Sequence, residues 1–156
     1  MKIFLHGLES SSRGAKATFL RGLYPDMVIP DFSGGLGERM ALLRTLLAGQ
    51  KHVKLVGSSF GGLQAVIFAL ENSTIVERVI LLAPALNFPE FSGYRLKRLG
   101  MPARLIIGRN DTVTPVQKVV PIARNIFTAL HYEIVDDDHL LAKTFRTLGW
   151  KKLLTG

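Results

Sequence analysis

Short apolar runs, each followed by a segment whose apolar residues recur at helical spacing, succeed one another along the whole chain. The runs lack the alternation of polar and apolar residues that is typical of a sheet with one face in water, so they predict strands buried on both faces. The predicted strands cover residues 2–5, 27–29, 53–56, 78–82, 103–107 and 132–135. The predicted helices cover residues 15–22, 38–48, 60–71, 115–128 and 140–154, with Thr114 as a cap and Pro115 in the first turn of the fourth.

This alternation of strands and helices favours right-handed crossovers, and therefore a parallel sheet with helices on both faces. The expected fold class is α/β, as a three-layer α/β/α sandwich with about six parallel strands. The 156 residues contain no repeat, no low-complexity tract and no long Gly/Ser linker, so we expect one domain over residues 1–156. Residues 85–101 form the longest irregular connection and predict a flap rather than a lid domain. Functional side chains should follow the strands, at the carboxyl edge of the sheet.

The composition excludes several classes of protein. No apolar run approaches the roughly 20 residues that cross a bilayer, so no membrane span is expected. The chain has no cysteine, which excludes a disulfide framework, a cysteine nucleophile and a thiolate metal site, and which fits the cytoplasm. Lysine and arginine number 20 against 12 aspartates and glutamates. Aromatic residues are not interleaved with the basic ones, so no specific nucleic-acid site is expected.

The sequence Gly57-Ser58-Ser59-Phe60-Gly61 directly follows an apolar strand and directly precedes a helix. It matches the pattern G-x-S-x-G, in which a tight turn holds a serine in a strained conformation and lifts its hydroxyl clear of the sheet. Glycine is expected at positions 57 and 61 because a side chain would clash where the strand and the helix converge. The spacing selects Ser59, and not Ser58, as the candidate nucleophile. The alternative is a glycine-rich turn of structural use only.

A serine hydroxyl is a weak nucleophile, so it needs a base within hydrogen-bonding reach and an acid that orients the base. Among the four histidines, His139 follows the last predicted strand and so shares the carboxyl edge with Ser59. His52 and His131 precede strands, and we expect them to be solvated residues at the opposite edge. His6 ends the first strand, and we expect its ring to bond nearby loop backbone without transferring protons. His139 is therefore the candidate base.

Asp111 follows the fifth predicted strand and is the candidate acid. The order Ser59, Asp111, His139 is the order in which G-x-S-x-G enzymes carry nucleophile, acid and base. Capping of the following helix is the alternative role for Asp111. Glu90, in the loop after the fourth predicted strand, is a second candidate acid. Residues 136–138, three aspartates, are expected to form a solvated turn because residues next to the histidine cannot easily reach behind its ring.

The negative charge that develops on the carbonyl oxygen during serine attack needs two hydrogen-bond donors. The backbone N–H of Phe60, at the start of the helix after the nucleophile, is the first candidate. The second should come from the loop after the first strand, where Gly7 permits a sharp turn. The N–H of Leu8 is the candidate there.

Together, His6-Gly7, Gly57-x-Ser59-x-Gly61, Gly108-x-x-Asp111 and Asp138-His139 resemble the α/β-hydrolase superfamily over nearly the whole chain. The start, His6-Gly7-Leu8-Glu9-Ser10-Ser11 followed by Lys16-Ala17, resembles the small YqiA-like esterases. The resemblance implies a serine hydrolase that acts on esters or thioesters through an acyl-enzyme, without a metal or an organic cofactor. No metal-ligand spacing of histidines or carboxylates is found in the sequence either.

Many members of that superfamily insert a helical lid where this chain has only residues 85–101, so the site is expected to be open and to favour short acyl chains. Arg95, Lys97 and Arg98 in that segment either steer an anionic substrate group or form a solubilising surface. The expected partner is a small ester or thioester, and a homodimer partner could form the missing wall. The alternatives are a noncatalytic binding protein with this fold, and an amide or peptide hydrolase or acyltransferase that uses the same three side chains.

Overall fold

A parallel sheet of five strands forms the middle layer of the molecule, whose computed structural model describes residues 1–156. The strands are β1 (Lys2–Leu5), β2 (Val53–Ser58), β3 (Val76–Leu82), β4 (Ala103–Gly108) and β5 (Leu130–Val135), and they lie side by side in that order. Every neighbouring pair is parallel, which requires crossover connections between them. The prediction of a parallel sheet is confirmed.

Helices cover both faces of this sheet. They are α1 (Ala15–Leu23), α2 (Leu36–Leu47), α3 (Phe60–Glu71), α4 (Val116–Ile126) and α5 (Trp150–Thr155), with 3₁₀ turns at Pro89–Tyr94 and Phe145–Thr147. One core lies between the sheet and α2, α3 and α4, and a second lies between the sheet and α1 and α5. Alternate strand residues face the two cores, as Leu81 and Ile80 of β3 do. The predicted three-layer sandwich is confirmed. None of these helices has the length and apolar character needed to span a membrane.

The strand predicted at residues 27–29 is reduced to a single parallel bridge between Val28 and Ile3 of β1. Phe4 N–H donates to Val28 O at 2.9 Å, and Val28 N–H donates to Lys2 O at 2.9 Å. Pro30 follows two residues later and has no N–H with which to extend the ladder. The sheet therefore has five strands, and the bridge lies along β1 where a sixth was predicted.

The long helix predicted at residues 140–154 is wrong. The segment instead contains the 3₁₀ turn Phe145–Thr147 and the short helix α5. Leu141 has a positive φ of 53°, which ends any helix at that point. The N–H groups of Lys143 and Thr144 donate to the Asp137 side chain and not to carbonyls one turn earlier. The Asp137 carboxylate thus binds backbone N–H groups that a helix would need for its own hydrogen bonds.

Residues 85–101 contain only the 3₁₀ turn Pro89–Tyr94 and no lid domain. The segment runs back to the amino edge of the sheet, where Leu99 forms a bridge with Phe127 just before β5. Arg98 donates there to the Asn125 carbonyl at the end of α4, and Asn125 Nδ2 donates to Arg95 O at 2.6 Å. The Arg98 side chain therefore lies at the edge opposite the loops that follow the strands, a position that favours a surface role over steering.

Candidate active site

Ser59 occupies the turn between β2 and α3 with φ 53° and ψ −116°. A residue with a side chain rarely adopts this conformation, which costs about 1–3 kcal/mol. Backbone hydrogen bonds impose it: Ser59 N–H donates to Leu82 O at 2.9 Å, and Ala85 N–H donates to Ser59 O at 2.9 Å. The chain at the end of β3 therefore holds the turn from both sides. The strained elbow expected from the G-x-S-x-G pattern is present.

Glycines allow this turn to close. A Cβ on Gly57 would lie 2.5 Å from Gly61 O, and a Cβ on Gly61 would overlap Leu5 O at the end of β1. Gly62 is a third such position, which the motif does not include, because its Cβ would lie 2.7 Å from the Cβ of Pro84. The start of α3 is thus in backbone contact with the end of β1, which brings the loop after β1 against the serine.

The three side chains singled out in the sequence meet at the carboxyl edge of the sheet. Ser59 Oγ lies 2.9 Å from His139 Nε2, and His139 Nδ1 lies 2.7 Å from Asp111 Oδ2. A carboxylate can only accept, so Nδ1 carries the proton and Nε2 presents its lone pair to the serine hydroxyl. The Asp111 side chain is fully buried, while that of His139 is 20% exposed. This is the geometry in which a histidine can take a proton from a serine.

The two carboxylate oxygens of Asp111 have different partners. Oδ1 accepts from the N–H groups of Val113 and Thr114 at 2.9 and 2.8 Å, which closes the turn after β4. Oδ2 accepts from His139 and from the Thr114 hydroxyl, the latter at 2.6 Å. The predicted cap pair is wrong, because Thr114 bonds Asp111 and Pro115 is itself the N-cap of α4, with no side-chain hydrogen bond. The signal for this contact in the sequence is the spacing: a threonine three residues after an aspartate can bond it within a local turn.

Asp137 anchors the loop that carries His139. It is only 4% exposed, so the expectation of a solvated turn is wrong for this residue. Its Oδ1 accepts from Asp138 N–H at 2.8 Å, and its Oδ2 accepts from Lys143 N–H at 3.1 Å and from the N–H and hydroxyl of Thr144, both at 2.9 Å. Burial acts to raise the pKa of Asp137, but these hydrogen bonds outweigh it and hold the pKa below its usual value.

Two further contacts fix the same loop. Lys16 of α1 reaches across and donates from Nζ to Leu140 O at 2.5 Å. Burial lowers the pKa of Lys16, although the nearby charges of Asp137 and Asp138 act to raise it. Gly108 at the end of β4 touches the loop so closely that a Cβ there would overlap Asp137 O. The position of His139 is therefore set by α1 and β4 as well as by its own loop.

We expect Asp137→Asn to lower the free energy of unfolding at neutral pH by about 1–3 kcal/mol, because the loop's donors lose a charged acceptor. Since the pKa of Asp137 is lower in the folded protein, this stabilisation is complete above the unfolded-state pKa of about 3.9 and disappears as the pH falls through the folded value. Urea unfolding between neutral pH and about pH 3 measures the effect. The difference in unfolding free energy between the wild type and the variant should shrink as the pH falls. Asp136→Asn, at an exposed neighbour, is the matched control. A gap that does not change with pH would contradict the prediction.

The two candidate oxyanion donors have no acceptor in the protein. Leu8 N–H makes no backbone hydrogen bond, and Phe60 is the first residue of α3, where no carbonyl of the helix is available. A Cβ on Gly7 would lie 3.3 Å from Ser59 Cβ, so the chain entering Leu8 passes directly beside the serine. Both N–H groups are therefore free to bind an oxygen of a ligand.

His6 is 1% exposed and is held from both sides. Phe32 N–H donates to His6 Nε2 at 2.9 Å, so Nδ1 carries the proton and donates to Gly7 O at 2.7 Å. The neutral ring thus connects the segment around Phe32 to the loop of the candidate oxyanion donors. This placement agrees with the expectation that His6 bonds loop backbone.

The remaining candidates lie elsewhere. The side chains of His52 and His131 are 83% and 61% exposed, at the amino edge of the sheet. Glu90 is exposed on the 3₁₀ turn Pro89–Tyr94 and makes no hydrogen bond to His139. No group of three or more histidines and carboxylates is placed to hold a metal ion. No lid domain covers Ser59, since residues 85–101 contain only the 3₁₀ turn Pro89–Tyr94.

No protein-family model and no curated protein matches this sequence. Solved structures do resemble it. Alpha/beta hydrolase domain-containing protein 10 from mouse is 18% identical with a TM-score of 0.79, over 92% of this chain and 83% of that chain. Est1E from Butyrivibrio proteoclasticus, with ferulic acid bound, is 12% identical with a TM-score of 0.80, over 99% and 89%. A monoacylglycerol lipase from Paleococcus ferrophilus is 14% identical with a TM-score of 0.76, over 99% and 93%. At identities this low the likeness shows the fold, and the chain has the α/β-hydrolase fold.

Proposed function

We propose that this protein is a serine hydrolase that cleaves short-chain carboxylic esters or thioesters through an acyl-enzyme. Ser59 is the nucleophile, His139 the general base and Asp111 the acid that orients it. The observation that carries the proposal is the unbroken line of hydrogen bonds from Ser59 Oγ through His139 to the buried Asp111, at 2.9 and 2.7 Å. A structural serine would not need a strained backbone, a histidine facing its hydroxyl and a carboxylate behind that histidine.

In the first half of the reaction, Ser59 Oγ attacks the carbonyl carbon while its proton passes to His139 Nε2. The electron pair of the carbonyl double bond moves to oxygen, and the N–H groups of Leu8 and Phe60 stabilise the resulting negative charge. The bond to the leaving alcohol or thiol then breaks, and the leaving group takes the proton from Nε2. In the second half, His139 Nε2 takes a proton from water while the water oxygen attacks the carbonyl carbon of the acyl-enzyme. The bond between that carbon and Ser59 Oγ then breaks, the acid leaves, and Oγ takes the proton from Nε2. Asp111 stays ionised and stabilises the imidazolium in both halves.

The surroundings of the site support small apolar esters as the substrate class. The loops after β1, β4 and β5, which carry Leu8 N–H, Asp111 and His139, each present an exposed apolar side chain: Leu8 is 47%, Val113 47% and Leu140 65% exposed. With no lid domain above them, these side chains offer an open apolar rim that fits a short acyl chain better than a long one. The start of the sequence adds a proposed kinship with small YqiA-like esterases.

A fluorophosphonate probe tests the proposal, because it labels only a serine that an adjacent base activates. We expect labelling of the folded protein and recovery of the probe on the peptide that contains Ser59. A panel of p-nitrophenyl esters, acyl-thioesters and aminopeptidase substrates should then show turnover of short esters or thioesters above amides. Folded protein that takes no label would identify a noncatalytic binding protein. Labelled protein that cleaves only amides, or transfers acyl groups to acceptors other than water, would replace the proposed reaction by another on the same three residues.

A further inference from the structure

Arg39 of α2 is a buried cation without a counter-ion. Its residue is 3% exposed, and it takes part in none of the ion pairs of the molecule. The acid next to it in sequence, Glu38, is exposed, and water screens its charge. Burial lowers the pKa of Arg39, but the ordinary value for arginine is so high that the side chain stays charged at neutral pH. A buried unpaired charge is costly to folding, so its presence calls for a compensating interaction.

The hydrogen bonds of Arg39 go only to neutral oxygens. Its Nε donates to Gly34 O at 3.1 Å, Nη2 to Phe32 O at 3.4 Å and Nη1 to Gln64 Oε1 at 3.5 Å. The last two are long for bonds from a charged donor. Gln64 is fully buried, and its Nε2 finds no acceptor at all. Arg39 and Gln64 therefore offer more hydrogen-bond donors than the buried acceptors around them can take, and no carboxylate is paired with Arg39.

Arg39 contacts one side of the proposed oxyanion hole directly and is linked to the other side by a chain of hydrogen bonds. Its guanidinium carbon lies 5.4 Å from the centre of the Phe60 ring, and Phe60 supplies the first N–H. On the other side Arg39 bonds Phe32 O, Phe32 N–H bonds His6 Nε2, and His6 Nδ1 bonds Gly7 O, which precedes Leu8.

We propose that Arg39 is an electrostatic positioning residue, whose missing counter-charge is the oxyanion that forms when Ser59 attacks the carbonyl. This inference rests on the proposed function. The negative charge appears only in the transition state, so a buried fixed cation stabilises that state more than it stabilises bound substrate. Burial keeps water and salt from screening the interaction. The hydrogen bonds through Phe32 and His6 hold the second donor, Leu8 N–H, in position relative to the first, Phe60 N–H.

The test compares Arg39→Met, which removes the charge at similar volume, with Arg39→Lys, which keeps it. For Arg39→Met we expect kcat on a short p-nitrophenyl ester to fall by about 10- to 100-fold, less than removal of a direct oxyanion donor, with little change in KM. The inhibition constant of an alkylboronic acid, which forms an anionic tetrahedral adduct with serine, should rise by a similar factor. Arg39→Lys should recover a large part of both losses. If Arg39→Met does not fold, Arg39→Gln, which is polar and uncharged, takes its place.

Arg44→Met is the matched control, since Arg44 lies on the same helix but is half-exposed and paired with Glu71 at 2.7 Å. It should leave kcat and boronic acid inhibition unchanged. A normal kcat in Arg39→Met would overturn the inference. Equal losses of kcat in Arg39→Met and Arg39→Lys, together with a raised KM, would also overturn it, because they would indicate a structural role. Wild-type protein that neither takes fluorophosphonate label nor turns over any ester would instead overturn the proposed function, independently of Arg39.

Discussion

Ser59→Ala is expected to lower kcat for every substrate by about 10⁴- to 10⁶-fold while leaving the fold intact. The loss is this large because no other group can form the acyl bond at that position. Residual catalysis survives, since the N–H groups of Leu8 and Phe60 can still stabilise an oxyanion formed by water. The fold survives because the Ser59 hydroxyl bonds only His139, whereas the elbow is held by the backbone of residue 59.

Turnover of a short p-nitrophenyl ester and the temperature of thermal unfolding together measure this result. Ser58→Ala is the matched control, since Ser58 is the adjacent serine, ends β2 and makes no side-chain hydrogen bond. It should retain nearly full activity. Full activity in Ser59→Ala, or an equal loss in Ser58→Ala, would remove Ser59 from the role of nucleophile.

Asp111→Asn is expected to lower kcat by about 10⁴-fold, because an amide cannot satisfy both sides of this site. If its NH₂ group replaces Oδ1, it faces the N–H groups of Val113 and Thr114, donor against donor. If it replaces Oδ2, it faces His139 Nδ1 and forces the proton to Nε2, where it blocks transfer from Ser59. The first orientation also leaves the buried N–H groups of Val113 and Thr114 without an acceptor, which should lower the free energy of unfolding by about 1–3 kcal/mol.

Steady-state kinetics and urea unfolding of Asp111→Asn measure the two effects. Glu90→Gln serves as the control, because Glu90 was the other candidate acid and is exposed. The control should keep its activity. An active Asp111→Asn beside an inactive Glu90→Gln would transfer the role of the acid to Glu90.

The residues proposed for chemistry could be found from the sequence because each follows a strand at the same edge of the sheet. In a parallel sheet all strands end at the same edge, so Ser59, Asp111 and His139 were expected at that edge, and the strand order of the folded sheet brings them together. The elbow glycines were readable for the same local reason, since Gly57 and Gly61 stand at fixed offsets from the serine. The strand at residues 27–29 was overpredicted because an apolar pattern does not show that Pro30 lacks the N–H needed to extend the strand.

Asp137, Thr114 and Arg39 illustrate what remained hidden. Nothing in a run of three aspartates indicates that the middle one turns inward and takes the backbone donors of Lys143 and Thr144 away from a helix. The position of Arg39 on α2 likewise does not indicate that its charge is buried against Phe60. Burial and pairing of such groups depend on neighbours far away in the chain, and apolar periodicity carries no record of them.

The order of strands and helices, the elbow at Ser59 and the edge at which the chemistry gathers all follow from local patterns, because hydrophobic period and glycine spacing act over a few residues. The folded molecule alone decides which polar side chains lose their water and which partners they then find. The burial and the partners of these side chains set the orientation of His139 and the electrostatic effect of Arg39, because the strength of an electrostatic interaction depends on distance and on exclusion of solvent.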